Sequence, residues 1–156
     1  MNEQENRMLS AQALAYLGDC VIELCVRSLL LEKGLAHSKD LNKAALRYVS
    51  ATAQAEAMKR ILSALTEEET GVYRRAHNAG HIQNVPKSAT VGQYRTATGM
   101  EALFGYLYLC GRLSRVRELF RMGYPDASEA QLPLLRSDVT EVQMEATPEE
   151  TEEKTI

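Results

Sequence analysis

Two carboxylates stand in stretches of this sequence that are otherwise apolar. Asp19 interrupts Ala15-Tyr16-Leu17-Gly18-Asp19-Cys20-Val21-Ile22-Glu23-Leu24, and Glu101 interrupts Thr98-Gly99-Met100-Glu101-Ala102-Leu103-Phe104-Gly105-Tyr106-Leu107-Tyr108. Aspartate is a mediocre helix former, and acids are rarely buried without a partner or a metal. Gly18 precedes the first acid, and Gly99 and Gly105 lie near the second. The missing side chains let another helix or a phosphate come close. Two acids placed in this way make a shared carboxylate site between two packed helices, of the kind hard cations such as Mg²⁺ take. Glu23 lies one turn from Asp19 and either joins the site or pairs with Arg27 at i+4, the simpler arrangement.

Basic and amide side chains gather elsewhere. Arg74, Arg75, His77, Asn78, His81 and Lys87 cluster along a helix end and the loop after it, while Lys39, Lys43 and Arg47 recur at i+4. Such donors suit phosphates and the 2′-hydroxyls that A-form RNA displays across its shallow minor groove. For the lysine stripe the alternative is an ordinary solvated face. His77 and His81 have i, i+4 spacing, but nothing in the sequence completes a transition-metal site around them.

The elements that must position these groups read as helices throughout. Ser10 caps a helix over 11–32 that Gly34 closes, and Ser38 opens another over 39–49. Ser50 restarts the helix for 51–65. Thr66-Glu67-Glu68-Glu69 forms a capping box for a helix that frays by 78–80. After an irregular stretch from 80 to about 89, a helix runs from 90 or 91 to 110 and breaks at Gly111; a last one spans 113–122. No strand pattern or internal repeat is present, so the fold class is all-α. Phe104, Tyr106, Leu107 and Tyr108 make the fifth helix apolar on several faces, which calls for a dimer interface or for burial within one chain.

The whole chain, 156 residues with 45% hydrophobic and 25% charged residues, fits one globular domain. Its net charge of −3 hides an uneven distribution. Residues 137–156 hold seven acids against one base, a net −6, which leaves residues 1–136 at +3. The sequence therefore divides into a helical body over 1–126 and an acidic tail over 127–156, in which 127–137 are expected to dock loosely on the body and 138–156 to be disordered. Cys20, Cys25 and Cys110 lie in apolar helical patterns without metal-type spacing and read as buried, reduced thiols. No signal-peptide core and no apolar run long enough to span a membrane is present, which points to the cytoplasm.

Taken together, these segments resemble one family. Tyr16-Leu17-Gly18-Asp19-Cys20-Val21-Ile22-Glu23-Leu24 resembles the signature helix of ribonuclease III enzymes, and Met100-Glu101-Ala102-Leu103-Phe104-Gly105-Tyr106-Leu107-Tyr108-Leu109 their second catalytic segment. Tyr48-Val49-Ser50-Ala51-Thr52-Ala53-Gln54-Ala55, Arg74-Arg75-Ala76-His77-Asn78-Ala79, Pro86-Lys87-Ser88 and Tyr94-Arg95-Thr96-Ala97-Thr98 are similar to the Mini-ribonuclease III branch. The resemblance runs from about Leu14 to Phe120 with the segments in family order.

It implies an all-α endonuclease bundle that acts as a homodimer on double-stranded RNA. It also implies Mg²⁺-dependent hydrolysis leaving 5′-phosphate and 3′-hydroxyl ends, and a place in maturation of the 23S ribosomal RNA precursor. Whether a ribosomal protein takes part stays open. Asp19 and Glu101 would be both the catalytic residues and the metal ligands; Arg74, Arg75, His77, Asn78 and Lys87 would bind RNA. Gln12, Ala15 and Thr98 stand where classical relatives carry further acids, so Thr98 and Glu56 are assigned supporting positions around the metal, and one or two metal ions remain alternatives. The competing reading is a catalytically inactive relative that serves as an RNA-binding or ribosome-associated module.

Overall fold

The computed structural model describes residues 2–79, 85 and 87–132; the acidic stretch from 133 onward, His81 and Pro86 lie outside them. The described residues form seven α-helices and two short 3-10 turns, with no strand among them. The helices are α1 (Glu3–Met8), α2 (Ala11–Glu32), α3 (Ser38–Val49), α4 (Ala51–Ile61), α5 (Glu67–Asn78), α6 (Val91–Leu109) and α7 (Leu113–Gly123).

Local chemistry sets most of these limits. The Ser10, Ser50 and Thr90 side chains each accept an amide of the first turn behind them. The Thr66 capping box closes in both directions, at 3.2 Å from the Glu69 amide and 2.8 Å from the Thr66 amide. Ser38 is not a cap: it is the first helical residue of α3, and His37 takes the cap position without a side-chain bond. α4 stops at Ile61 rather than near residue 65, because the chain tightens into a 3-10 turn over Leu62–Ala64 before the Thr66 cap.

Helix α1 is an element the apolar periodicity did not announce. It is short and polar, and it forms through a capping box between Asn2 and Glu5, both bonds at 2.8 Å. Long-range ion pairs then hold it down. Arg7 reaches Glu68 at 2.7 Å, and Arg112 bridges Glu3 and Glu68 at 2.8 and 2.9 Å. Tyr106 also donates to Glu68, and these neighbours hold that carboxyl down to about 2.

Helix α6 is the axis of the bundle. Met100, Leu103, Phe104 and Leu107 pack with Ile22 and Val26 of α2, Met58 and Ile61 of α4, and Leu119 and Phe120 of α7. On another side, Ala102 and Tyr106 meet Leu14 and Ala15 of α2 and Val72 and Ala76 of α5. Phe104, Tyr106 and Leu107 are therefore enclosed by their own chain, and only Tyr108 of that set is exposed. The expectation of three buried cysteines needs correction as well: Cys25 is buried, Cys110 is half-buried, and Cys20 faces solvent beside Asp19.

The helical body continues past residue 126. Ala127, Ala130 and Leu132 pack into the main core, and the Glu32 carboxylate accepts the amides of Gln131 and Leu132 at 2.8 and 2.6 Å. Residues 127–132, the start of the tail, thus dock on α2 and the core, within the 127–137 stretch expected to lie loosely against the body.

Candidate active site

Helices α2 and α6 cross with their backbones in contact. A Cβ on Gly18 would overlap the carbonyl of Glu101 and lie 2.8 Å from the amide nitrogen of Gly105. A Cβ on Gly105 would in turn overlap the carbonyl of Leu14. Only glycine at both places allows this approach. Asp19 follows one of these glycines and Glu101 supplies the opposing carbonyl, so the crossing brings the two acids together from positions 82 residues apart.

The charge of Asp19 acts on Glu101 across this crossing. Burial pushes the Glu101 carboxyl up to about 7, and the charge of Asp19 pushes in the same direction. Asp19 itself is raised by burial and then by Glu23, although the residue as a whole stands open to solvent. Glu23 is in fact paired with Arg27, 2.6 Å away, as its spacing foretold. No lysine or arginine contributes to the shift of either Asp19 or Glu101. Both carboxylates are therefore short of positive charge, which is the condition a divalent cation relieves.

These residues fit a hard cation as a partial oxygen shell. Among the described residues, no cluster of three or more His, Cys, Asp or Glu side chains forms. Mg²⁺ commonly binds through one or two carboxylates and keeps several waters, so two acids suffice to hold it.

A third side chain enters from α4. Gln54 is buried, with 1% of its surface exposed, and its amide hydrogen-bonds the Glu101 carboxylate, opposing the upward shift. The sequence reading placed Glu56 here instead. Glu56 lies two residues on, roughly 200° around the helix, and pairs with Lys59 at 2.8 Å on the exposed side. Gln54 lay unremarked in the segment Ala53-Gln54-Ala55, where a long amide between two small residues marks a polar group turned inward. Thr98 bonds back to the carbonyl of Tyr94 at 3.0 Å, within its own helix.

The expected RNA-binding cluster divides. Arg75 donates to the carbonyls of Arg7 and Leu9 at 2.8 and 3.4 Å, so it clamps the end of α1 and is not a free cation. Arg74, Asn78 and Lys87 are exposed. His77 is half-buried, stacks at 5.5 Å against Tyr73, and touches Asn78 through Nδ1 at 3.0 Å. That tyrosine in turn closes over Gly99, where a Cβ would lie 2.5 Å from its ring. The cluster is thereby fixed to the same helix that carries Glu101. Lys39, Lys43 and Arg47 are all exposed on α3.

The fold is an all-helical bundle in which two acids face one another at a glycine crossing. The Ribonuclease III domain matches residues 12–112, and the chain belongs to that family. Its relatives narrow the assignment. It is 50% identical over 109 residues to Mini-ribonuclease 3 of Symbiobacterium thermophilum, covering 69% of this chain and 82% of that one. It is 44% identical over 111 residues to Mini-ribonuclease 3 of Brevibacillus brevis, covering 71% and 82%. Among solved structures, protein FN1578 from Fusobacterium nucleatum superposes with a TM-score of 0.67 at 34% identity, covering 74% of this chain and 91% of that one. The protein is an endoribonuclease of the ribonuclease III family.

Proposed function

We propose that this endoribonuclease cuts double-stranded RNA as a Mg²⁺-dependent homodimer, with the 23S ribosomal RNA precursor as its substrate. The observation that carries the reading is the pair Asp19 and Glu101, opposed across the Gly18–Gly105 contact without a basic partner. These two carboxylates would hold Mg²⁺. When bound, Mg²⁺ supplies Lewis-acid activation of water and stabilisation of the leaving 3′ oxygen, giving 5′-phosphate and 3′-hydroxyl ends. Gln54 favours the ionised form of Glu101. Arg74, Asn78 and Lys87 present donors to phosphates along the duplex.

The dimer reading rests on a different surface from the one α6 offered in the sequence. Tyr16, one turn before Asp19 on α2, is 82% exposed. Leu31 on the same helix and Leu46 on α3 are 60% and 64% exposed. A second copy of the chain set against this face would cover Tyr16 and bring two sites to one duplex, one for each strand.

The test is cleavage of an end-labelled duplex stem from a ribosomal RNA precursor with Mg²⁺, comparing the protein with Glu101→Gln. Cutting by the former and none by the folded variant is expected. Binding without cutting by both overturns the assigned site chemistry.

A further inference from the structure

His77 differs in chemistry from the basic side chains around it. Arg74 and Lys87 are donors only, and they suit phosphate oxygens, which RNA and DNA share. The Nδ1 of His77 lies 3.0 Å from the side-chain oxygen of Asn78. An amide oxygen only accepts, so Nδ1 carries the ring proton. In the neutral imidazole Nε2, the outer nitrogen, is then an acceptor.

The ring is also held in place. It stacks on Tyr73 at 5.5 Å with the planes tilted by 47°. Tyr73 fills the notch that Gly99 leaves on α6, where a Cβ would lie 2.5 Å from its ring. The plane of the imidazole is thus set from the helix that carries Glu101, and its tautomer is set by Asn78. His77 is half-buried, and Arg74 one turn before it and Asn78 next to it are exposed, so the ring forms part of the surface. Beside the Nε2 acceptor, the Asn78 amide nitrogen brings two donor protons. An acceptor next to amide donors matches a ribonucleotide, whose 2′-hydroxyl donates and whose phosphate oxygens accept. A deoxyribonucleotide offers the phosphate without the 2′ donor.

We propose that Nε2 of His77 accepts a hydrogen bond from a ribose 2′-hydroxyl, which makes His77 a residue that selects RNA over DNA. The inference deepens the double-stranded RNA reading above and rests on it. Tyr73 is the positioning residue of this contact, because it holds the ring without touching the nucleic acid.

The experiment uses the full chain carrying Glu101→Gln as a non-cutting parent, with and without His77→Phe, which keeps a ring against Tyr73 and loses the acceptor. Affinity for a labelled RNA duplex is measured at about pH 8, above the ordinary histidine range, while single 2′-fluoro riboses are walked along one strand. Fluorine keeps the A-form sugar pucker and cannot donate, so shape is held constant and only the donor is removed. At one ribose or two neighbouring ones, fluorine is expected to weaken binding to the parent by about 5-fold, and His77→Phe is expected to abolish that sensitivity. A flat fluorine scan in a parent that retains the all-RNA duplex overturns the His77 assignment alone, as does a sensitive position that persists in His77→Phe. A parent that does not retain the all-RNA duplex overturns the substrate reading and this inference with it. Nitrogen-15 spectra of histidine-labelled protein give a second readout that needs no variant. A proton on Nδ1 of His77 is expected, and a proton on Nε2 overturns the proposal.

Discussion

Gln54 on α4 hydrogen-bonds the carboxylate of Glu101 on α6 and is itself almost wholly removed from solvent. The bond favours the ionised form of an acid that burial and Asp19 both push the other way. Gln54→Met keeps most of the volume and removes the donor. The acid limb of the cleavage pH profile is then expected to move to higher pH by about half a unit to one unit, at saturating Mg²⁺. An unmoved limb with a reduced rate would show that Gln54 acts through packing alone.

The raised carboxyl of Glu101 makes a prediction for the metal-free protein. Its pKa is about 7 in the fold against 4.5 unperturbed. Below pH 4.5 it is protonated in both states and indifferent to folding. As pH rises through 7, the fold must bury an ionised acid, and stability falls. Glu101→Gln should therefore stabilise the metal-free protein at pH 8, by up to about 3 kcal/mol, with the gain fading toward pH 5. Urea melts at the two pH values in a chelator measure it; an equal gain at both would assign it to something other than ionisation.

Two glycines inside helices should respond in opposite directions to the same change. Gly18→Ala forces a Cβ into the Glu101 carbonyl, a backbone atom that cannot turn aside; a loss of about 3 kcal/mol or more is expected. At Gly71, on the exposed side of α5, a Cβ meets nothing within 4 Å, and Gly71→Ala should gain about 0.5–1 kcal/mol from helix propensity. Denaturant midpoints of both variants check the pair.

Tyr16→Asp replaces the most exposed large aromatic of the chain with a charge. Analytical ultracentrifugation is expected to find monomers where the parent sediments as a dimer. Melting of the isolated monomer should stay within about 0.5 kcal/mol, as is usual for exposed sites. A variant that still dimerises would move the interface away from α2.

Much of the fold was legible because its signals are local. Ser10, Ser50, Thr66 and Thr90 bind amides within three residues, so helix starts could be read from side-chain chemistry. Asp19 and Glu101 could be paired because each broke an apolar period beside a glycine. What stayed hidden depends on distant partners. Helix α1 is polar and is held by Glu68 and Tyr106, 61 and 99 residues from Arg7. The apolar faces of Phe104, Tyr106 and Leu107 turned out to be covered by α2, α4, α5 and α7, which periodicity alone cannot distinguish from cover by a second chain. Gln54 is not legible by charge in the sequence, because an amide that steadies an acid carries none to mark it.

The glycine crossing makes the spacing of the acids a property of the main chain. Side-chain substitutions nearby can alter how tightly a cation or a phosphate is held, but they leave the gap between the carboxylate-bearing backbones where it is. On the proposed reading of the site, fitting a larger cation is therefore not a matter of adjusting α2 or α6. The adjustable wall is α4, which meets α6 through side chains, and lengthening, shortening or charging the residue at Gln54 is the change the architecture leaves open to design.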